Sequence, residues 1–290
     1  MSAPLVELAP AKINLTLRVL CRRTDGFHEL ESLVVFADLA DTLTLTPSTS
    51  VELDVSGPFA AASGNVADNL VLKAYTTLSQ RVKDLKAGLF QLDKRLPVAA
   101  GIGGGSTDAV AALRLLARLN SIARDDPRLT DAARAIGADV PVCLDPRARI
   151  MRGVGERLSP PLAIGSLAAL LVNPGLPLST RDVFAKFVRV PGGVASLADL
   201  SGDYDALIDQ LARHGNDLTQ AAIACVSAVG EVLEALRVLP GVKLARMSGS
   251  GPTCFALFAS ADESAAAADR LKILHKHWWI ASTTFGSPHS

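Results

Sequence analysis

A glycine-rich run is the part of this sequence best suited to hold an anion: Pro97-Val98-Ala99-Ala100-Gly101-Ile102-Gly103-Gly104-Gly105-Ser106-Thr107-Asp108. Glycines let backbone N–H groups approach a charged oxygen closely, and a helix beginning behind them adds about half a positive charge. That combination suits a di- or triphosphate, with Ser106 and Thr107 able to donate to phosphate or to ligate magnesium. A side chain at Gly104 is expected to block the close approach of backbone to nucleotide. The competing reading is a tight structural turn. The P-loop pattern GxxxxGK[ST] is absent, because it needs Lys before Ser106 and Gly105 stands there. The dinucleotide pattern GxGxxG, started at Gly101, fails at its last position, which is Ser106. A second glycine cluster, Met247-Ser248-Gly249-Ser250-Gly251-Pro252-Thr253, precedes an apolar run and reads equally well as a tight loop.

Two ionic groups sit in unusual company. Lys12 lies in Ala9-Pro10-Ala11-Lys12-Ile13-Asn14, and Asp139 in Gly137-Ala138-Asp139-Val140-Pro141-Val142. A charge among small and apolar residues is costly unless it is paired or functional. A structural salt bridge or a helix cap explains either one as well as catalysis does. The turn Asp25-Gly26-Phe27-His28-Glu29-Leu30 sets an aromatic ring beside a histidine. Taken alone, Phe27 reads as ordinary core and His28 as a surface residue. His275-x-His277 beside Trp278-Trp279 falls short of the three or four ligands a metal site usually needs.

The set PAKINLTLRV (10–19), DGFHEL (25–30), LPVAAGIGGGSTDA (96–109), GADVPV (137–142) and MSGSGPTCFALF (247–258) resembles the GHMP kinase superfamily, in order and over nearly the whole chain. The resemblance implies an α+β, two-domain fold. Residues 1–160 would form an N-terminal ATP-binding domain like ribosomal protein S5 domain 2. Residues 161–290 would form a ferredoxin-like C-terminal domain, with the last strand free to return to the first. It also implies transfer of the ATP γ-phosphoryl group, with Mg2+, to the 2-hydroxyl of a CDP-linked methylerythritol in the non-mevalonate isoprenoid pathway. Other implied properties are a cytoplasmic location, a monomer or weak homodimer, and no nucleic-acid or membrane partner.

Carried over by residue, the resemblance gives Pro97, Ala99, Ala100, Gly101, Ile102, Gly103, Gly104, Gly105, Ser106 and Thr107 the ATP phosphates, with Ser106 on the magnesium ion. Asn65 and Lys94 would lie near the adenine. Asp139 would deprotonate or orient the accepting hydroxyl, and Lys12 would stabilise charge. Asn14, Thr180, Gly249 and Ser250 would hold the acceptor. Phe27 and Phe184 would sandwich the cytosine, with His28 reading its polar edge. Phe27 stands where the superfamily member in question commonly has Tyr, Thr107 where it has Ser, and Arg181 where it often has Pro. A kinase of mevalonate-type or amino-acid alcohols would lack the Phe27–His28 turn. A non-catalytic nucleotide-binding regulator would be expected to lose Lys12 or Asp139, and a dehydrogenase is disfavoured by the failed dinucleotide pattern.

The elements that must position these residues show in the periodicity. Alternation predicts strands over Ile13–Val19, Leu33–Ala37, Thr42–Thr46 and Val51–Val55, and a short strand over Gly88–Asp93. Helices are predicted over Asn69–Val82, from Ser106 onward, over Leu129–Ile136, as one long piece over Leu218–Leu239, and over Asp262–Leu274. Apolar strands follow at Ala168–Val172, Thr253–Phe258 and Trp278–Thr283, with loops at Gly192-Gly193 and Ser201-Gly202. Strands first and mixed units later favour α+β, with a boundary near Ser159-Pro160-Pro161.

Composition sets the outer bounds. The chain has 290 residues, about two domains at roughly 150 each. With 49% hydrophobic and 20% charged residues it can build a core and is not a disordered tail. Lys plus Arg and Asp plus Glu number 29 each, so the basic excess of a general nucleic-acid or membrane-surface binder is missing. No apolar run reaches the ~20 residues of a spanning helix, and the first residues do not read as a secretory signal. Cys21, Cys143, Cys225 and Cys254 are scattered, which predicts reduced thiols rather than a disulfide scaffold or zinc knuckle.

Overall fold

The structure, a computed structural model, describes residues 3–188, 197 and 204–286. The loops expected at Gly192-Gly193 and Ser201-Gly202 lie outside the described residues. Two compact units share the chain. One takes residues 1–11, 39–98 and 103–145, the other 12–38, 99–102 and 146–290. These are not the segments 1–160 and 161–290 expected from the sequence. The chain passes from unit to unit inside β1 (Leu5–Asn14), inside β3 (His28–Ser48) and inside the glycine run, so no linker marks the change. Between β1 and β3 lies β2 (Arg18–Arg22), so the predicted strand 13–19 is the end of one strand and the start of the next.

In the first unit the later half of β3 pairs antiparallel with β5 (Ala87–Asp93), from Thr42 opposite Asp93 to Ser48 opposite Ala87. β4 (Glu52–Ser56) joins β5 in parallel. The Thr-Leu alternation of 42–46 works as read: Leu43 and Leu45 are fully buried, and the threonines lie half-buried on the other face. Four helices complete the unit: α1 (Leu70–Ser79), α2 (Gly104–Leu119), α3 (Pro127–Ile136) and α4 (Val140–Cys143). Asn69 and Asp126 cap α1 and α3 through side-chain bonds to Val71 N and Arg128 N. Helix α2 starts at Gly104, ahead of the Ser106 and Asp108 start signals. It is buried nearly all round, from Thr107 to Leu113 and again from Leu115 to Ala117. Its alanines at 109, 111, 112 and 117 let neighbours come close, and it packs against α1, α3 and α4.

In the second unit the first part of β3 pairs with β2 and with β6 (Arg149–Gly153), which in turn pairs with β7 (Arg157–Leu158). The order then runs β3, β11 (Trp279–Gly286), β8 (Leu167–Asn173), β10 (Cys254–Phe258), β9 (Leu244–Met247). The last strand pairs with β8 from Trp279 to Phe285, and meets β3 only at Phe285–Ala37 and Gly286–Phe36, all within this unit. Helices α5 (Thr180–Lys186), α6 (Tyr204–Arg213), α7 (Thr219–Cys225), α8 (Ala228–Arg237) and α9 (Ala261–Leu274) complete it. The core joins Leu170, Val172, Val183, Val232, Leu236 and Phe258. The single helix predicted over 218–239 is two. It breaks at Val226, whose backbone is extended, because Cys225-Val226-Ser227 are poor helix formers in a row.

Candidate active site

The second unit brings together residues far apart in sequence. Ala100 O accepts from Thr253 N at 3.2 Å, and Ile102 O accepts from Lys12 N at 2.9 Å. Ser248 Oγ donates to Gly101 O at 3.0 Å and accepts from Asn14 N at 3.1 Å. A Cβ on Gly101 would lie 2.6 Å from Gly251 O and 2.7 Å from Ser248 O, so backbone packs directly on backbone. Gly101 also sits at φ +72°, where a side chain is strained. A Cβ on Gly249 would come within 2.9 Å of Gly101 O and 3.3 Å of Asn14 Oδ1. The two glycine clusters, Lys12 and Asn14 therefore form one packed group.

Asn14 has a defined amide orientation. Ser32 Oγ donates to Thr16 O at 2.5 Å, so it accepts from Asn14 Nδ2 at 2.7 Å. That leaves Asn14 Oδ1 buried, facing the glycine cluster, with no hydrogen-bond partner. Lys12 is 3% exposed. Thr180 Oγ1 and Ser250 Oγ lie 2.8 Å apart, which ties the start of α5 to the second glycine cluster.

Phe184, one turn along α5, stacks on the His28 ring with centroids 4.9 Å apart and planes 24° apart. Phe187 meets the same ring edge-on at 6.2 Å. Phe27 is 61% exposed on a turn that Asp25 Oδ1 closes by accepting from Phe27 N at 3.1 Å. The structure thus pairs Phe184 with His28, not with Phe27. Sequence reading missed Phe187, which lies just past the end of α5 on extended backbone, where no helical spacing could have announced it. Burial, helped by Arg22, holds the His28 imidazole below its ordinary pKa of 6.5.

In the first unit Gly103, at φ +65°, precedes α2 and offers no side-chain cap. The N–H groups of the first turn are therefore left for an outside acceptor. Gly105 is exposed and Ser106 half-buried. Thr107 turns inward: its hydroxyl donates to Gly104 O at 2.9 Å and its N–H to Gly103 O at 3.0 Å. Gly104 is buried too, and a Cβ there would sit 3.1 Å from Lys94 Nζ. A side chain at Gly104 would crowd the flexible end of Lys94, which would have to give by a few tenths of an ångström.

Lys94, expected beside the adenine, is 4% exposed, with its ammonium bonded to Asp41 and to Asp108. Burial alone would depress it, but the two carboxylates outweigh that and hold its pKa above the ordinary value. Asn65 is exposed and caps a short turn by accepting from Ala67 N at 3.1 Å. Beside it lies a cavity of about 380 Å³ lined by Leu53, Val55, Ala60, Val66 and Asn69, all of this unit.

Asp139 is half-buried at the head of α4, whose four residues Val140, Pro141, Val142 and Cys143 are buried. Arg114 of α2 donates to Cys143 O at 3.0 Å and Leu144 O at 2.9 Å, and pairs with Glu7 at 3.2 Å. Lys73 Nζ donates to Ile136 O at 2.9 Å. The backbone on both sides of Asp139 is thereby gripped. No group of three or more His, Cys, Asp or Glu suited to a metal occurs among the described residues, His275 and His277 included; His275 stacks on Trp278 instead, at 3.7 Å.

Residues 69–145 match the GHMP kinases N terminal domain and residues 195–277 the GHMP kinases C terminal. Together with the uncapped glycine loop ahead of α2, these matches define the class, a small-molecule kinase. The chain is 54% identical over 286 residues to the 4-diphosphocytidyl-2-C-methyl-D-erythritol kinase of Rhodopseudomonas palustris (strain BisB5), covering 95% of this chain and 97% of that one. A like-named kinase of Methylorubrum extorquens is 51% identical, covering 96% and 98%. A crystal structure of 4-(cytidine 5'-diphospho)-2C-methyl-D-erythritol kinase matches with TM-score 0.78 at 34% identity, covering 97% of this chain and 99% of that one. The chain belongs to the 4-diphosphocytidyl-2-C-methyl-D-erythritol kinase family.

Two substitutions test this geometry. Gly101→Ala forces a methyl group into backbone at 2.6 Å and should lower stability by about 1–3 kcal/mol, read by urea denaturation. A loss under about 0.3 kcal/mol would show that the loop has room to shift. Arg114→Ala releases the carbonyls of α4 and should lower kcat about tenfold while both KM values hold. Unchanged kcat would mean that Asp139 keeps its place without Arg114.

Proposed function

We propose that this chain transfers the γ-phosphoryl group of ATP to the 2-hydroxyl of 4-diphosphocytidyl-2-C-methyl-D-erythritol, in the cytoplasm, as a step of the non-mevalonate isoprenoid pathway. One observation carries the reading furthest. The Thr180–Ser250 hydroxyl contact ties the helix that bears Phe184, and so the stacked Phe184–His28 pair, to the glycine cluster packed on Gly101. A flat-base wall and a phosphate-approaching backbone thus belong to one rigid unit, which suits a substrate made of cytidine, diphosphate and alcohol.

Phosphoryl transfer needs positioning and charge neutralisation more than covalent help. The amides of 101–105 and the first turn of α2 hold the phosphates, and the cavity beside Asn65 takes the adenine. Asp139 accepts the proton of the 2-hydroxyl. The freed oxygen forms its bond to the γ-phosphorus as the bond to the bridging oxygen of ADP breaks. Lys12 stabilises the charge that develops, and Asn14 Oδ1 accepts from the substrate hydroxyls. Ser106 offers a single protein oxygen, which fits Mg2+ because that ion usually keeps waters and takes most other ligands from phosphates. When bound, the ion neutralises phosphate charge. In this reading Phe27 closes on the cytosine from its exposed turn, and the neutral imidazole of His28 reads the polar edge.

A coupled ADP-release assay tests the reading with the CDP-linked alcohol set against mevalonate and homoserine. Turnover of either competitor at the rate of the CDP derivative would overturn it. Asp139→Asn and Lys12→Ala should each lower kcat by roughly 10² to 10⁴. If Asp139→Asn retains half the activity, the carboxylate is structural.

Phe27→Ala should lower kcat/KM for the cytidine substrate about fivefold to 150-fold, with KM for ATP unchanged, because base–aromatic stacking is worth about 1–3 kcal/mol. Protonating His28 removes its acceptor. Since its pKa is depressed, KM for the CDP substrate should be flat above pH 6.5 and rise only as pH falls further. Equal activity on methylerythritol 4-phosphate would remove the cytosine clamp altogether.

A further inference from the structure

Three buried charged side chains of the first unit take no part in the transfer written above. Asp41 is 0%, Lys94 4% and Asp108 3% exposed. They come from β3, from the residue after β5, and from the second turn of α2. Lys94 Nζ donates to Asp41 Oδ2 and, at 2.7 Å, to Asp108 Oδ2. Asp41 Oδ1 accepts from Arg95 N at 2.5 Å and Leu96 N at 2.8 Å. Residues 94–96 lead into the glycine run, and residues 104–108 lead out of it. The cluster therefore fastens both ends of the run to β3, and Gly104 rests against it, with a Cβ there only 3.1 Å from Lys94 Nζ.

The charge count argues that this is more than a stabilising ion pair. Two carboxylates share one ammonium, and Asp108 Oδ1 is buried with no hydrogen-bond partner. An uncompensated buried acceptor costs free energy, and a one-to-one Lys94–Asp41 pair would avoid that cost. Burial pushes the Asp108 carboxyl up to about 7 against the pull of Lys94. What the third side chain adds is a fixed tie to α2, so that the first-turn N–H groups point in one direction before any nucleotide arrives. Preorganised donors of this kind bind phosphate without spending binding energy on ordering the loop.

We infer that Asp108, acting through Lys94 and Asp41, is a positioning residue for the ATP phosphates. The inference rests on the reading of the glycine run as their cradle. Asp108→Ala should weaken ATP by about tenfold to 100-fold in KM and in direct calorimetric titration, while KM for the alcohol substrate stays at its wild-type value. Asp108→Asn keeps an acceptor for Lys94 and should restore most of the affinity. If the alanine variant does not fold, Asp108→Leu, which keeps the same branching without the carboxylate, carries the same test. A folded variant that binds ATP as wild type does, whatever its melting temperature, overturns the positioning role, and so does an Asp108→Asn protein as weak as Asp108→Ala. Failure of the wild-type protein itself to bind ATP would instead strike the cradle reading on which the inference stands.

Discussion

Backbone packed on backbone, with no side chain between, is the constraint on which the second unit's share of the site depends. Residues 100–102 lie against 248–253 so closely that Gly101 and Gly249 each exclude even a methyl group. The contact closes 147 residues of chain with a hydroxyl bridge, Ser248 to Gly101, and that same hydroxyl holds Asn14 N. Lys12 is fixed by its own N–H to Ile102 O. The catalytic lysine of the proposal, its neighbouring asparagine and the loop beside them are thus oriented by main-chain groups, which have little freedom once their ladder is formed. A site built this way owes its precision to what is missing from the glycines as much as to what is present elsewhere.

The first unit solves its positioning problem with a helix. Because α2 is buried nearly all round, it cannot slide or rotate without opening a core that packs on three other helices. Two of its polar side chains use that rigidity in opposite directions. Asp108, near its start, faces Lys94 and the ends of the glycine run; Arg114, six residues on, grips the carbonyls of α4. One element therefore carries both the uncapped amides to which the proposal gives the phosphates and the brace for the backbone after Asp139.

Much of this was legible in the sequence, and the rest fails for identifiable reasons. The short motifs around Lys12, Gly101, Asp139 and Gly249 were legible as a set, through their order and the resemblance they carry, while each alone kept a structural explanation. The α+β character and most elements follow from period and caps, as at Asn69, Asp126 and Ser260. Three things did not show. Alternation cannot tell that two short predicted strands are one, β3, since Asp38 to Asp41 break the pattern but not the ladder. Spacing cannot say which way Gly104 or Thr107 faces, because helix α2 starts two residues before its apparent start signals. A lysine beside a glycine run looks like a phosphate or adenine ligand until its partners are known, and Asp41 lies 53 residues away.

The fate of Lys94 bears on how a chain with no net charge can handle two polyphosphates. An ammonium already bonded to two carboxylates has little field left for a phosphate, so the Lys94 cluster adds no cationic site. In the proposed reaction, attraction for the phosphates would then rest largely on amide dipoles at the head of α2 and along the glycine run, with Lys12 and the metal ion adding the rest. Dipoles act over short range and in fixed directions, so they reward correct placement steeply and misplacement hardly at all. They also add no long-range steering, which a neutral surface does not supply either. In the proposed reaction, discrimination for a nucleotide-linked alcohol over simple anions would follow from that arrangement. Inorganic phosphate meets the same amides but lacks the base, ribose and second phosphate that would hold it there, whereas a surface rich in lysine would attract every anion alike.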